Sequence, residues 1–193
     1  PYKVRVKWGI SEDVMCIGKE TTWQFIRDVL DEVCQLFPGE LIHIGGDETP
    51  RKKWSECPDC QALMKKEGMT EEAQLQSWIT TKVENYLETK GKRIIGWDEV
   101  LEGGVSTKCV VMSWLKGSVG GQKAAGLGND VIMTDKYHCY FDCYQTDTRE
   151  GELFAHKRNI PLEKVWSYNP IGGMDDASAS HVLGVQCNTW TEH

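Results

Sequence analysis

Five short apolar runs punctuate this chain, and each ends in an aromatic or acidic residue that a buried strand does not need. Leu41-Ile42-His43-Ile44 stops at Gly45-Gly46 and delivers Asp47-Glu48. Arg93-Ile94-Ile95-Gly96 runs into Trp97-Asp98-Glu99, and Val110-Val111-Met112-Ser113 runs into Trp114. Asp130 to Thr134 leads towards Tyr140-Phe141-Asp142, and Val182 to Cys187 leads to Trp190-Thr191-Glu192. Runs of this kind, bounded by turn residues, predict buried strands of a parallel sheet. Between them the period lengthens to that of a helix. A capping box of Thr21 and Gln24 opens a stripe of Ile26, Val29, Leu30, Val33 and Phe37 that stops at Pro38-Gly39. Thr70 with Glu71 and Glu72 opens a second, striped by Leu75, Trp78, Ile79, Val83, Tyr86 and Leu87 and ended by Lys90-Gly91. Trp23 and Trp78, inside these stripes, are expected in the core. Gly117 to Gly126 has room for a short helix, while Cys143 to Ser180 reads as a long loop with one helical piece.

Strands alternating with helices predict an α/β fold, and parallel strands joined by crossovers carry all their carboxyl ends to one rim. The acids and aromatics at the strand ends are therefore expected to gather where such folds bind substrates. Asp47 and Glu48 have a plainer reading as the cap and first-turn acid of a following helix. Each tryptophan, taken singly, also has the plainer reading of a packing residue.

Composition narrows the partners. The formal charge of −7 argues against nucleic acid, and Arg51-Lys52-Lys53 is too small a basic run to reverse it, so it reads as a solvated loop. No apolar run is long enough to predict a membrane-spanning helix. Eight tryptophans suit a sugar ligand, whose C–H faces pack on aromatic rings. Cys57-Pro58-Asp59-Cys60 has the spacing of a redox pair or half a zinc site, but no second C-x-x-C or His pair accompanies it. It is read as a local disulfide or a pair of free thiols shaping the loop after the acids, and no metal or other cofactor is expected. The remaining six cysteines read as small hydrophobes. Pro1 in first place suggests a piece of a longer precursor.

Taken in order, His43-Ile44-Gly45-Gly46-Asp47-Glu48, Gly96-Trp97-Asp98-Glu99, Tyr140-Phe141-Asp142 and Trp190-Thr191-Glu192 resemble the successive strand-end motifs of the glycoside hydrolase family 20 β-N-acetylhexosaminidases. The likeness runs from about Trp8 to the end of the chain. It implies a catalytic domain that is a (β/α)8 TIM barrel, of which residues 1–193 would supply about strands 4 to 8 with the preceding helix as one domain fragment, the first three strands absent. With those strands would go an arginine that binds sugar hydroxyls and a histidine that supports the catalytic acid.

The resemblance implies removal of terminal, non-reducing N-acetylhexosamine from β-linked glycans, with retention and without an enzyme nucleophile. Glu48 is then the general acid on the glycosidic oxygen. The substrate's own acetamido oxygen attacks the anomeric carbon to give an oxazolinium, Asp47 accepts the acetamido N–H, and Tyr140 donates to the acetamido oxygen. Neighbouring acids are thereby explained, since a conventional retaining pair stands about 5–5.5 Å apart across the bond. Asp47 is expected to raise the Glu48 pKa. Trp97, Trp114 and Trp190 map onto aromatic walls, and Asp142 and Glu192 onto hydroxyl binders. A further wall tryptophan has no matching position, with Phe154 or Trp166 available in the loop after Asp142. His43 reads as a hydrogen-bonded core histidine. The family also implies an extracytoplasmic place of action.

Two other readings stand beside this one. A different barrel glycosidase would pair Glu48 with Glu99 or Glu192 as a true nucleophile. A sugar-binding remnant would keep the aromatic pocket without catalysis. Because five strands of eight do not close, the edges near Leu41 and Val182 are expected to promote homodimers or aggregation, and turnover by the fragment is expected to be feeble.

Overall fold

Every strand predicted from the apolar runs is found in the computed structural model, which describes residues 4–7 and 9–190. The chain divides into two compact units, Pro1–Ser106 and Thr107–His193.

In the first unit, β1 (Leu41–His43) lies parallel to β2 (Arg93–Trp97), with Ile42 opposite Ile94 and His43 opposite Ile95. The ladder outlasts β1. Ile44 N–H donates to the Ile95 carbonyl and Trp97 N–H to the Gly45 carbonyl, both at 2.9 Å, so the turn carrying the acids is held in register with Trp97. The unit also holds α1 (Glu20–Leu36), α2 (Lys52–Glu56), α3 (Pro58–Glu67) and α4 (Ala73–Glu88), of which α4 packs on β2. A 3₁₀ turn, Asp98–Leu101, follows β2. α4 buries Leu75, Val83 and Leu87 from its predicted stripe, each contributing about 1.5–3 kcal/mol of transfer free energy. It ends at Glu88, and three residues on Gly91 turns the chain at a φ of +70°, which suits a residue without a side chain.

Several local expectations are corrected. The capping box of Thr21 and Gln24 does not form, because the helix begins two residues earlier with Lys19 as its N-cap and no side-chain cap. The Gln24 side chain instead donates to Asp28 at 2.7 Å. Of the α1 stripe only Leu30 is buried, and Val29 and Phe37 are exposed together with Phe25 and Leu36. Trp23 and Trp78 are half-buried rather than core. They clasp the Lys82 ammonium, which stands 4.5 Å and 4.8 Å from their ring centres, a contact that favours a wet edge. The run Arg51-Lys52-Lys53 leads into α2 rather than staying in a loop, and Cys57 caps α3 with Pro58 in its first turn.

In the second unit, β3 (Val110–Ser113), β4 (Val131–Met133) and β7 (Val182–Val185) are parallel in that order, with a shift of register between Val131 and Ile132. All four β3 residues are buried, as a continuous apolar run demands. α5 (Val119–Gly126) fills the predicted short-helix segment. It seats against the sheet through Gly121, where a Cβ would lie 2.5 Å from Met133 Sδ. Cys143 to Ser180 is more ordered than a long loop. It contains β5 (Cys143–Tyr144) parallel to β6 (His156–Asn159), then α6 (Leu162–Trp166) and α7 (Asp176–Ala179). These pieces are too short to carry a sequence period. β7 leaves Leu183 and Val185 exposed on one face. No helix among the described residues is long and apolar enough to cross a membrane.

Candidate active site

The acid pair stands on a turn whose shape is dictated by its backbone. Gly45 and Gly46 have φ of +73° and +101°, and Glu48 itself sits at φ +47°, a region that side-chain-bearing residues enter at a cost. The glycines serve packing as well as bending: a Cβ at Gly46 would lie 2.7 Å, and one at Gly96 2.5 Å, from Val100 Cγ1. Val100, fully enclosed after β2, thus wedges against both strand ends. From α4 the buried Gln76 donates to the Gly46 carbonyl at 2.6 Å. Arg51 bonds Gln76 in turn and pairs with Glu102.

No helix starts at Asp47, so the capping interpretation of the acids falls: α2 begins five residues later behind Arg51. Both carboxylates are exposed, and neither accepts a hydrogen bond among the described residues. Glu48 shares a depression of about 340 Å³ with Arg51, Gln76, Glu99 and Glu102. His43 is exposed rather than a core residue, although it is hydrogen-bonded as expected, accepting the Gly45 N–H on Nδ1 at 3.0 Å. Its ring meets the half-buried Trp97 edge-on at 4.8 Å. Desolvation lowers the His43 pKa, with the Asp47 carboxylate pulling the other way.

In the second unit three predicted aromatics do come together. Tyr140, 6% exposed, stacks on Trp114 with ring centres 6.3 Å apart and meets Trp190 at 6.5 Å. Its position is set by a parallel bridge to Asn188, through Phe141 N–H to the Asn188 carbonyl at 2.7 Å and Asn188 N–H to the Cys139 carbonyl at 2.8 Å. Burial drives the Tyr140 pKa up to about 12, against hydrogen bonds from the Asn188 and Trp190 side chains and the charge of Arg158. Asp142 and Trp190 line one depression of about 450 Å³. Asp142 Oδ1 is enclosed there with no hydrogen-bond partner among the described residues. Of the two residues available for a further wall, Phe154, 72% exposed, lines this depression, whereas Trp166, 89% exposed, stands on α6 and does not. Glu192 and Thr191 lie outside the described residues.

Sequence reasoning missed Gln76, Asn188 and Arg158. Gln76 and Asn188 act through backbone register, which no local pattern announces. Arg158 sits 5.6 Å from the Tyr140 ring centre, brought there by a β6 too short to be read.

Residues 1–193 match the model of "Glycosyl hydrolase family 20, catalytic domain". The chain is 45% identical to a β-hexosaminidase of Porphyromonas gingivalis over 194 residues, covering all of this chain and 25% of that protein. It is 35% identical to a β-hexosaminidase of Vibrio furnissii, covering 94% of this chain and 30% of the relative. The GH20 exo-β-N-acetylglucosaminidase of Vibrio harveyi, solved in complex with N-acetylglucosamine, superposes with a TM-score of 0.81 at 32% identity, over 93% of this chain and 28% of that one. The chain thus spans about a quarter to a third of the length of these relatives.

Proposed function

The chain belongs to glycosyl hydrolase family 20, and from that premise we propose that it takes part in removing terminal β-linked N-acetylhexosamine by substrate-assisted, retaining hydrolysis. The observation that carries the reading is the turn after β1. Two exposed carboxylates are presented at the carboxyl end of a parallel strand on a backbone clamped by Val100 and Gln76. Glu48 protonates the leaving oxygen. Asp47 accepts the acetamido N–H and stabilises the charge that grows as the acetamido oxygen closes on the anomeric carbon. Tyr140 donates to that oxygen, a task its high pKa suits because the phenol stays protonated throughout the physiological range. Trp97, Trp114 and Trp190 pack the same terminal sugar. Asp142 and Glu192 take its hydroxyls, Asp142 from the depression it lines with Trp190. In this reading the chain supplies five strands of the family's TIM barrel, and the 193 residues alone turn over substrate feebly. We also place its work outside the cytoplasm, by analogy with the family.

The test compares a chromogenic β-N-acetylglucosaminide with the matched β-glucoside, using this chain and a longer protein that includes it. Hydrolysis confined to the acetamido substrate supports the reading. One observation favours a second: Glu99 lines the same depression as Glu48. Equal hydrolysis of both substrates, with a glycosyl ester trapped on Glu99, would establish an enzyme nucleophile instead. Binding of N-acetylglucosamine without turnover in either protein would leave a sugar-binding module.

A further inference from the structure

Three thiols meet in the first unit, away from the acid turn. Cys16 lies in the segment before α1, Cys57 caps α3 and Cys60 occupies its first turn. Their Sγ atoms all lie within 4.8 Å of one another, at 3.4 Å between Cys16 and Cys57 and 3.8 Å between Cys16 and Cys60. None is in a disulfide. A tetrahedral zinc ion, with Zn–S of about 2.3 Å, holds its sulfurs roughly 3.8 Å apart, so the triangle already has the dimensions of three corners of such a site.

The surroundings are built to keep this triangle. Gly18 packs its backbone against that of Asp59 and Cys60 at the start of α3. The approach of Gly18 admits no side chain, since a Cβ there would stand 2.2 Å from the Asp59 carbonyl oxygen. Trp54 ties the same segment down by donating its indole N–H to the Met15 carbonyl at 2.9 Å. Cys60 is fully buried beside Ile17, Trp54 and Met64, while Cys16 and Cys57 keep partial access, which leaves an entry path. The Asp59 carboxylate lies 4.0 Å from Cys16 Sγ, so it or a water molecule takes the fourth corner. Soft sulfur donors select zinc over calcium or magnesium.

We propose that Cys16, Cys57 and Cys60 are the thiolate ligands of a zinc ion that staples the segment before α1 to the start of α3. Binding releases a proton from each thiol and closes the 40-residue stretch between Cys16 and Cys57 (residues 17–56), which contains α1, β1 and the acid turn. The spacing argument against zinc had counted only sequence neighbours, and the third ligand comes from far along the chain.

The test uses the full chain, reduced, stripped of metal and titrated with cobalt(II) and then zinc(II). We expect one metal per chain by elemental analysis, thiolate-to-cobalt charge-transfer absorption and its loss on displacement by zinc. At free zinc about a hundredfold above its dissociation constant, the Tm should rise by roughly 5–10 °C and fall again with chelator. The Cys57→Ser/Cys60→Ser double variant should lose at least a hundredfold in zinc affinity. Should that variant fail to fold, chelation and zinc return on the unmodified chain still decide. A mass deficit of two hydrogens with two thiols lost would show a disulfide in place of the site, and three reactive thiols with no retained metal would equally overturn the proposal.

Discussion

The acid turn after β1 and the aromatic cluster around Tyr140 are built by opposite means. On the turn the backbone is fixed, by glycines in the left-handed region, the Val100 wedge and the Gln76 bond, while the side chains that would do chemistry are exposed and accept no hydrogen bond among the described residues. In the cluster the side chains themselves are fixed: Tyr140 is buried, stacked and hydrogen-bonded, with its proton held to about pH 12. The contrast fits the roles proposed. A general acid has to exchange its proton in each turnover, whereas a wall and an orienting donor work best when no reorganisation is needed.

The comparison is broken most sharply at Glu48. Measured in a longer family protein that includes this chain, Glu48→Gln should lower kcat/KM by about 10²–10⁴-fold on substrates with poor leaving groups. It should cost much less on aryl glycosides, whose leaving groups need little protonation, so equal losses on both would remove the acid role. Asp47→Asn should lower kcat roughly 10²–10³-fold with KM little changed, because its charge matters once the oxazolinium forms. A pure rise in KM would contradict that. Gly96→Ala tests the backbone clamp. It should destabilise by about 1–3 kcal/mol in denaturant unfolding, and by clearly less in a Val100→Ala background, where the clashing methyl is gone.

On the aromatic side, Tyr140→Phe should cost roughly tenfold in kcat, about one hydrogen bond. It also has a stability signature. The folded-state pKa is raised from 10.0 to about 12, so the protonated phenol is favoured by folding, and stability should fall as pH rises from about 10 to about 12. Tyr140→Phe should flatten that fall in a pH series of unfolding curves. The smallest effect belongs to His43, whose lowered pKa makes folding favour the neutral ring. Stability should therefore decline as pH drops below the ordinary value of 6.5, and NMR titration should place its midpoint below that value.

What was legible in the sequence was whatever a local period or a strand end could carry. The five apolar runs, the two long helices, their Pro38-Gly39 and Lys90-Gly91 stops, and the motifs ending in Asp47-Glu48, Trp97, Trp114, Tyr140 and Trp190 all lie within single elements or in the stretches that directly follow them. Burial periodicity acts over a few residues, so these features are written where they are used. Where α1 finds cover only at Leu30, the same periodicity overstated burial, because a stripe records which face is apolar and not what meets it.

The tertiary structure decided everything that joins distant positions. Gln76 reaches Gly46 across 30 residues and Cys16 reaches Cys57 across 41, while Val100 excludes a side chain from both Gly46 and Gly96. Short pieces such as α2, β5 and β6 carry too few residues for a period and exist only because their neighbours pack on them. The sequence by itself determined which residues stand at the strand ends. Only folding determined which of them touch, because contact between remote residues is set by packing and register, quantities that no window along the chain contains.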